Sequence, residues 1–476
     1  MFKNNINSML TEEIIDIEIT DFLASKQRNL MFIGQRYYEV DNDILRRRIY
    51  LNTGKEKLKE DKNKANNKLA HAHYKNLVDE KVNYIFGKQY TIQCDDKQYV
   101  ENINNALGKY FLDTFNELGY EASNKGVAWL HVYFDEEGKF KTIVIPSEEC
   151  CPIWKDRKHT ELQAMIRFYN QVVYEGREKK MITKIEYYTE NTVDYYIKDN
   201  GNVFLDSEMY LNAIGLLGHY KKGTESIGFG KVPFIAFKNN RVEMPDIKFV
   251  KSLLDNYDLV RSDAANFIEE VKNLIYVLKG YGGEDLGEFV HDLNYFRAIL
   301  IDDPEDGGVE TLNPTMDLSA AKEHWEQVKR DIIENGQGVH KDLDRFGGSP
   351  SGVALKFLYA SLDLKCNALE VQFRKGFEEL LYFINIYLAE TSQGICNKCV
   401  DVIFNRDIQI NEAEAIDNCS KSKGTISDKT IIANHPFVTD VDDEIKRLKD
   451  QQDTEMNSFS FDKVPIGDTQ GELDEE

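Results

Sequence analysis

From Ser351 to Glu390 the chain runs for about 40 residues without a proline, and Ala354, Phe357, Leu358, Leu362, Leu369, Phe373, Phe377, Leu380 and Ile384 hold one apolar period. A single straight helix of that length spans ~60 Å, about twice the width of a small domain. Two shorter helices are predicted before it. One starts near Pro245 and carries Ile247, Val250, Leu253, Leu254, Tyr257, Val260, Ala264 and Ile268. The other runs from about Leu318 to Glu334, and Gly336, Gly338, Gly347, Gly348 and Pro350 mark a loop between it and the long helix. A total of 9 Pro in 476 residues fits a helix-rich chain.

The first half of the chain mixes periods. Residues 1–60 read as polar helix. A further helix is predicted to begin near Ala65, with Leu69, His73, Leu77, Lys81 and Ile85 at helical spacing and Gly87 as its stop. In such a helix His71 and His73 lie on different faces. A short strand, Gln89–Cys94, and a helix over 102–125 follow. From Gly126 the period changes to two, with Val127, Trp129, His131 and Tyr133 on one face and a hairpin into Phe140–Ile145. Strands are predicted at Glu161–Tyr169, Lys184–Thr189, Thr192–Ile197 and Val232–Phe237. The region is α+β with a mostly antiparallel sheet. A strand at Leu274–Leu278 opens a glycine-punctuated stretch, 279–316. After the long helix come a strand, Val400–Phe404, and helices near 411–423, 427–433 and 440–451. The acidic tail from about 452 is expected to carry no fixed structure.

Composition removes several classes. With 42% hydrophobic and 11% aromatic residues the chain can bury a substantial core. A net charge of −23 argues against a surface built for tight nucleic-acid binding. No run approaches a membrane span, and Met1–Leu10 lacks the pattern of a signal peptide, so none is expected. Seven scattered Cys fit synthesis in a reducing compartment.

Catalytic and cofactor signatures are missing from the sequence. There is no Walker A motif, GxGxxG, HExxH or GxSxG. Gly280-Tyr281-Gly282-Gly283 reads as a turn rather than a phosphate cradle. Cys396-Asn397-Lys398-Cys399 is one CxxC, with only the irregularly spaced Cys419 and His435 to complete it, and reads as a turn with free thiols. Asp302-Asp303 and Asp442-Asp443 read as solvated pairs. No cofactor and no metal site is expected.

Other segments point to a family. Tyr37-Tyr38 is followed by Asp43-Ile44-Leu45 and a basic cluster, then by Asn66-Asn67-Lys68-Leu69 and the run from Leu77 to Lys88. Glu121–Gly126 leads into a strand with Val132-Tyr133. Lys231–Phe234 and Phe237–Asn240 come later, and Phe346-Gly347-Gly348 with Ser351–Lys356 opens the long helix. In this order the chain resembles the SPP1-like portal protein family of siphophages of Gram-positive hosts, over about residues 25 to 447. Gln89 stands where that family often has Pro.

The resemblance implies a phage portal fold: an α+β wing (1–245), stem helices (246–270 and 317–335), a small α/β clip (271–316), a tunnel loop (336–350), a long kinked tunnel helix (351–390), a helical crown (391–451) and the acidic tail (452–476). It also implies a homo-dodecamer at the capsid vertex, which conducts double-stranded DNA in packaging and ejection without reading its sequence. Implied partners are the terminase large subunit, head-completion or adaptor proteins, and major capsid and scaffolding proteins, with no membrane. The implied places are the virion and, during assembly, the host cytoplasm. The acidic balance suits a channel that must let phosphates slide. Candidate DNA-facing residues in the loop are His340, Lys341, Asp342, Asp344 and Arg345. Candidate docking residues in the clip are Gly282, Gly283, Glu284 and Asp285. The rival reading is an enzyme with an unrecognised site in the 127–240 sheet, which a pocket with a strongly perturbed carboxylate or His would favour.

Overall fold

The computed structural model describes residues 11–51, 59–60, 64–199, 201–212, 217–270, 275–279, 308–312, 318–340, 352–395, 400–406, 412–438 and 441–459. The architecture is α+β. The chain divides into two compact units: Met1–His340 with Ala360–Asp407, and Lys341–Tyr359 with Ile408–Glu476.

The first unit opens with helices α1 (Thr11–Ala24) and α2 (Lys26–Tyr38). Ser25 separates them and caps the second, its hydroxyl accepting from the Arg28 N–H at 3.1 Å. Strands β1 (Tyr50–Leu51) and β2 (Lys59–Glu60) pair antiparallel. Helix α3 (His73–Phe86) begins later than the sequence predicts. Residues 64–71 are not helical, because side chains of the helix Ile247–Glu270 occupy their backbone donors. Asn67 N–H donates to Asn266 Oδ1 at 2.6 Å and Leu69 N–H to Ser262 Oγ at 3.0 Å. His71 N–H donates to Asp258 Oδ1 at 3.2 Å. The two histidines therefore do not face apart. Their rings stack 5.9 Å from each other, and both meet the Tyr257 ring edge-on.

Strand β3 (Thr91–Gln93) is followed by α4 (Lys97–Leu107) and α5 (Phe111–Lys125), where one helix over 102–125 is predicted. Gly108, at φ +81°, ends the first helix in a conformation that side-chain-bearing residues rarely adopt. Next come β4 (Val127–Phe134), β5 (Phe140–Ile145) and β6 (Cys150–Trp154), then β7 (Leu162–Glu175), β8 (Glu178–Tyr188), β9 (Val193–Asp199) and β10 (Asn202–Leu205). After α6 (Ser207–Asn212) stand β11 (Tyr220–Lys222), β12 (Glu225–Ile227) and β13 (Phe234–Lys238). Strands β6 to β10 form a five-stranded antiparallel meander. Helix α1 lays Ile15 and Ile19 on one face of it, against Ile166, Phe168, Ile185 and Tyr196. Strands β7 and β8 run several residues beyond their predicted ends as one hairpin. A second sheet has the order β13-β4-β5.

Helix α7 (Ile247–Glu270) lies beside α8 (Leu318–Asn335), with strands β14 (Ile275–Lys279) and β15 (Gly308–Leu312) paired antiparallel between them in sequence. The Arg261 guanidinium sits 4.7 Å from the Trp325 ring centre, and Val328 and Ile332 of α8 are buried. The long helix is present as α9 (Gly352–Glu390). Its Phe373 and Phe377 enter an aromatic core with Phe86, Phe115, Phe237 and Phe404. Strand β16 (Asp401–Ile403) closes this unit on β3.

In the second unit α10 (Glu412–Lys421), α11 (Asp428–Ala433) and α12 (Val441–Phe459) follow one another. The Ser427 hydroxyl caps α11, and α12 continues to Phe459, past the predicted end near 451. Among the described residues no helix is long and apolar enough to cross a membrane.

Candidate functional site

Helix α3 carries Lys81 within an otherwise apolar stripe, and that lysine is buried. An ammonium without partners there would cost several kcal/mol. Its partner is Asp246, just before α7. Asp246 Oδ2 accepts from Lys81 Nζ at 3.0 Å and from Lys365 Nζ of α9 at 2.9 Å. Its Oδ1 accepts from Asn239 Nδ2 at 2.8 Å, and Asn239 Oδ1 accepts in turn from Lys81. Burial pushes the Asp246 carboxyl up, but Lys365, Lys81 and the Asn239 amide outweigh it and hold the group far below the usual carboxylate range. Burial also pulls the Lys81 ammonium down, against the attraction of Asp246. Helices α3, α7 and α9 and the exit of β13 are thus tied at one buried ionic point.

The same point anchors the entry to the glycine-rich loop. Lys365 Nζ also donates to Gly336 O at 2.9 Å. Gly336 and Gly338 lie so close to Leu77 that a Cβ on either would stand about 2.5 Å from a leucine methyl. Val339 N–H donates to Glu80 Oε2 at 3.0 Å. Chain leaving α8 is therefore held against α3 up to His340, which is half-buried. Of the candidate channel residues only His340 is described; Lys341, Asp342, Asp344 and Arg345 lie outside the described residues. So do the clip candidates Gly282, Gly283, Glu284 and Asp285, and the Cys396–Cys399 and Asp302-Asp303 pairs. Among the described residues no group of three or more His, Cys, Asp or Glu is placed to hold a metal.

A cleft of about 1230 Å³ lies beside β13, between the loops around 157–161 and 239–243 and one face of α9. Burial raises Glu379 in its wall to about 7, against Lys231 and Lys238, which lower it. In the sheet region His131 is drawn down to about 3 and His219 to about 4, again by burial. His131 packs on Phe234 and Tyr188, with Nδ1 3.0 Å from Pro233 O, so its shift reports a core position. The sequence hides the ionic point because Lys81 sits at an apolar position and its partner lies 165 residues on. The one available signal was that misfit of residue type.

The family described as "Phage portal protein, SPP1 Gp6-like" matches residues 19–458. A portal protein of Bacillus phage SPP1 is 34% identical over 432 residues, covering 90% of this chain and 84% of that protein. A portal protein of Clostridium phage phiCD119 is 32% identical over 450 residues, covering 92% of this chain and 95% of its own length. Portal proteins of this kind are structural and not enzymatic, which removes the rival catalytic reading of the sheet region. The chain belongs to the SPP1 Gp6-like family of bacteriophage portal proteins.

Proposed function

We propose that twelve copies close into a ring at the unique capsid vertex and form the channel through which genomic DNA is packaged and ejected. Family membership over residues 19–458 carries this reading. The ring receives the terminase large subunit and then the head-completion proteins at the clip, 271–316. It sits among major capsid and scaffolding proteins, first in the host cytoplasm and then in the virion. The wing is 1–245, the paired stem helices are α7 and α8, α9 is the tunnel helix, and 391–451 is the crown. Residues 336–350 are the tunnel loop, and their two signs of charge touch passing phosphates weakly. The bond from Lys365 to Gly336 supports a mechanical role for α9, since a shift of that helix would move the root of the loop.

Mass measurement of the purified chain at near-physiological salt, followed by imaging, tests the reading. A species of about 0.66 MDa, twelve chains of 55.0 kDa, with a central hole wide enough for duplex DNA supports it. A compact dimer or tetramer without a channel overturns it.

A further inference from the structure

The cleft beside β13 inverts the charge balance of the chain that contains it. The whole sequence has 59 Lys and Arg against 82 Asp and Glu. Yet Arg157, Lys158, Lys231, Arg241 and Lys375 all line this one cleft. All five are exposed. Lys231 lies 4.5 Å from the Tyr382 ring centre and acts on Glu379 from a distance, and no salt bridge among the described residues engages Arg157, Lys158, Arg241 or Lys375. The acids of the cleft are largely committed elsewhere. Glu161 and Glu190 hold Lys155, and Glu243 holds Lys238 at 2.8 Å, which leaves Glu378 and Glu379. Apolar ground is present too, since Val242 is 70% and Val371 52% exposed. Cations around exposed apolar side chains offer complementary ground to an acidic polypeptide.

One wall of the cleft is also built under strain. Among the described residues five non-glycine positions have positive φ, and two of them, His159 and Glu243, meet here. His159 Nδ1 lies 2.9 Å from Glu243 Oε1, and Lys238 Nζ donates to His159 O at 2.8 Å. The His159 ring stacks on Trp154 with centres 4.8 Å apart. A corner held in two unfavourable backbone conformations by hydrogen bonds, the Lys238–Glu243 ion pair and a ring stack is preorganised, which is typical of recognition sites. The volume, about 1230 Å³, exceeds the usual small-ligand range and suits a stretch of polypeptide.

We propose that this cleft is a socket in which each subunit receives an acidic segment of a second copy of this chain. The proposal rests on the ring-forming reading above and assigns one face of the contact. A head-to-tail ring needs two different complementary surfaces on every subunit. A chain of net charge −23 supplies acidic segments in abundance, and the five cations supply the counterpart.

The test compares the full-length wild-type chain with R241E/K375E and with a control, K97E/K109E, which makes the same charge change at exposed positions outside the cleft. Ring assembly is followed by mass photometry against protein concentration, folding by circular dichroism, and duplex DNA binding by anisotropy. Expected is a folded R241E/K375E chain whose half-assembly concentration rises at least tenfold, while the control assembles like wild type. Rings from R241E/K375E at wild-type concentration would overturn the assignment and leave the portal reading intact. Equal loss in the control would overturn it as a general charge effect. Intact rings that lose duplex binding would overturn it in favour of a DNA-facing cleft. A wild-type chain that forms only a compact, channel-less oligomer would sink the portal reading and the socket together.

Discussion

Asp246 holds two ammonium groups in a site from which water is largely excluded, so its charge is the one that cannot be removed cheaply. Asp246→Asn would leave Lys81 and Lys365 facing a neutral amide, and a loss of about 3–5 kcal/mol is expected in urea unfolding at pH 7. The pH dependence has a definite sign. The folded carboxyl lies below its unfolded value of ~3.9, so its stabilisation is complete above about pH 4 and is lost as the pH falls below that. The Asn variant should lose this part of the acid sensitivity. Glu379 behaves in the opposite way. Its folded value of about 7 stands above the ordinary 4.5, so stability is highest with the group protonated and declines as pH rises from about 4.5 to about 7. In the unassembled chain Glu379→Gln should therefore raise the unfolding free energy at pH 8 by up to about 3 kcal/mol and change little at pH 4. Equal unfolding curves at pH 8 would show that the carboxylate is already compensated.

Among the elements, the strongly periodic ones were legible. The helices α7, α8 and α9 stand within a residue or two of where apolar spacing puts them, because apolar residues recur along each at one helical period, and part of each stripe is buried. The errors fall where a backbone detail or a distant side chain decides. Gly108 breaks the predicted helix 102–125 in two through its positive φ, with nothing near its Cβ position. Gly108→Ala should accordingly cost about 1–3 kcal/mol through backbone strain alone, read as a lowered urea midpoint with unchanged slope. The stretch 64–71 has the composition of a helix, but Asn266, Ser262 and Asp258 offer its N–H groups better-placed acceptors. Strands β7 and β8 run past their predicted ends because their outer residues pair only with each other, and Tyr174 and Met181 are exposed, so no buried face imposes a pattern there.

The molecule as a whole is proposed to work as one wedge of a ring, and its stability should then depend on assembly. If folded subunits associate and unfolded ones do not, mass action raises the melting temperature with protein concentration. Calorimetry over a hundredfold range of concentration should show that rise for wild type and a flatter dependence for R241E/K375E. From the sequence by itself came the family, the α+β class, the long helix with its two predecessors, and the lack of any catalytic or cofactor motif, since these are written in local order and period. Only the tertiary structure decided that Lys81 is an ionic anchor rather than a surface lysine, that His71 and His73 share one tyrosine, and that five cations converge on a cleft beside β13. The physical reason is the same in each case. Charge partners, ring contacts and cleft walls are set by distance in space, and residues that meet, such as Lys81 and Asp246, are separated in the chain by 165 positions.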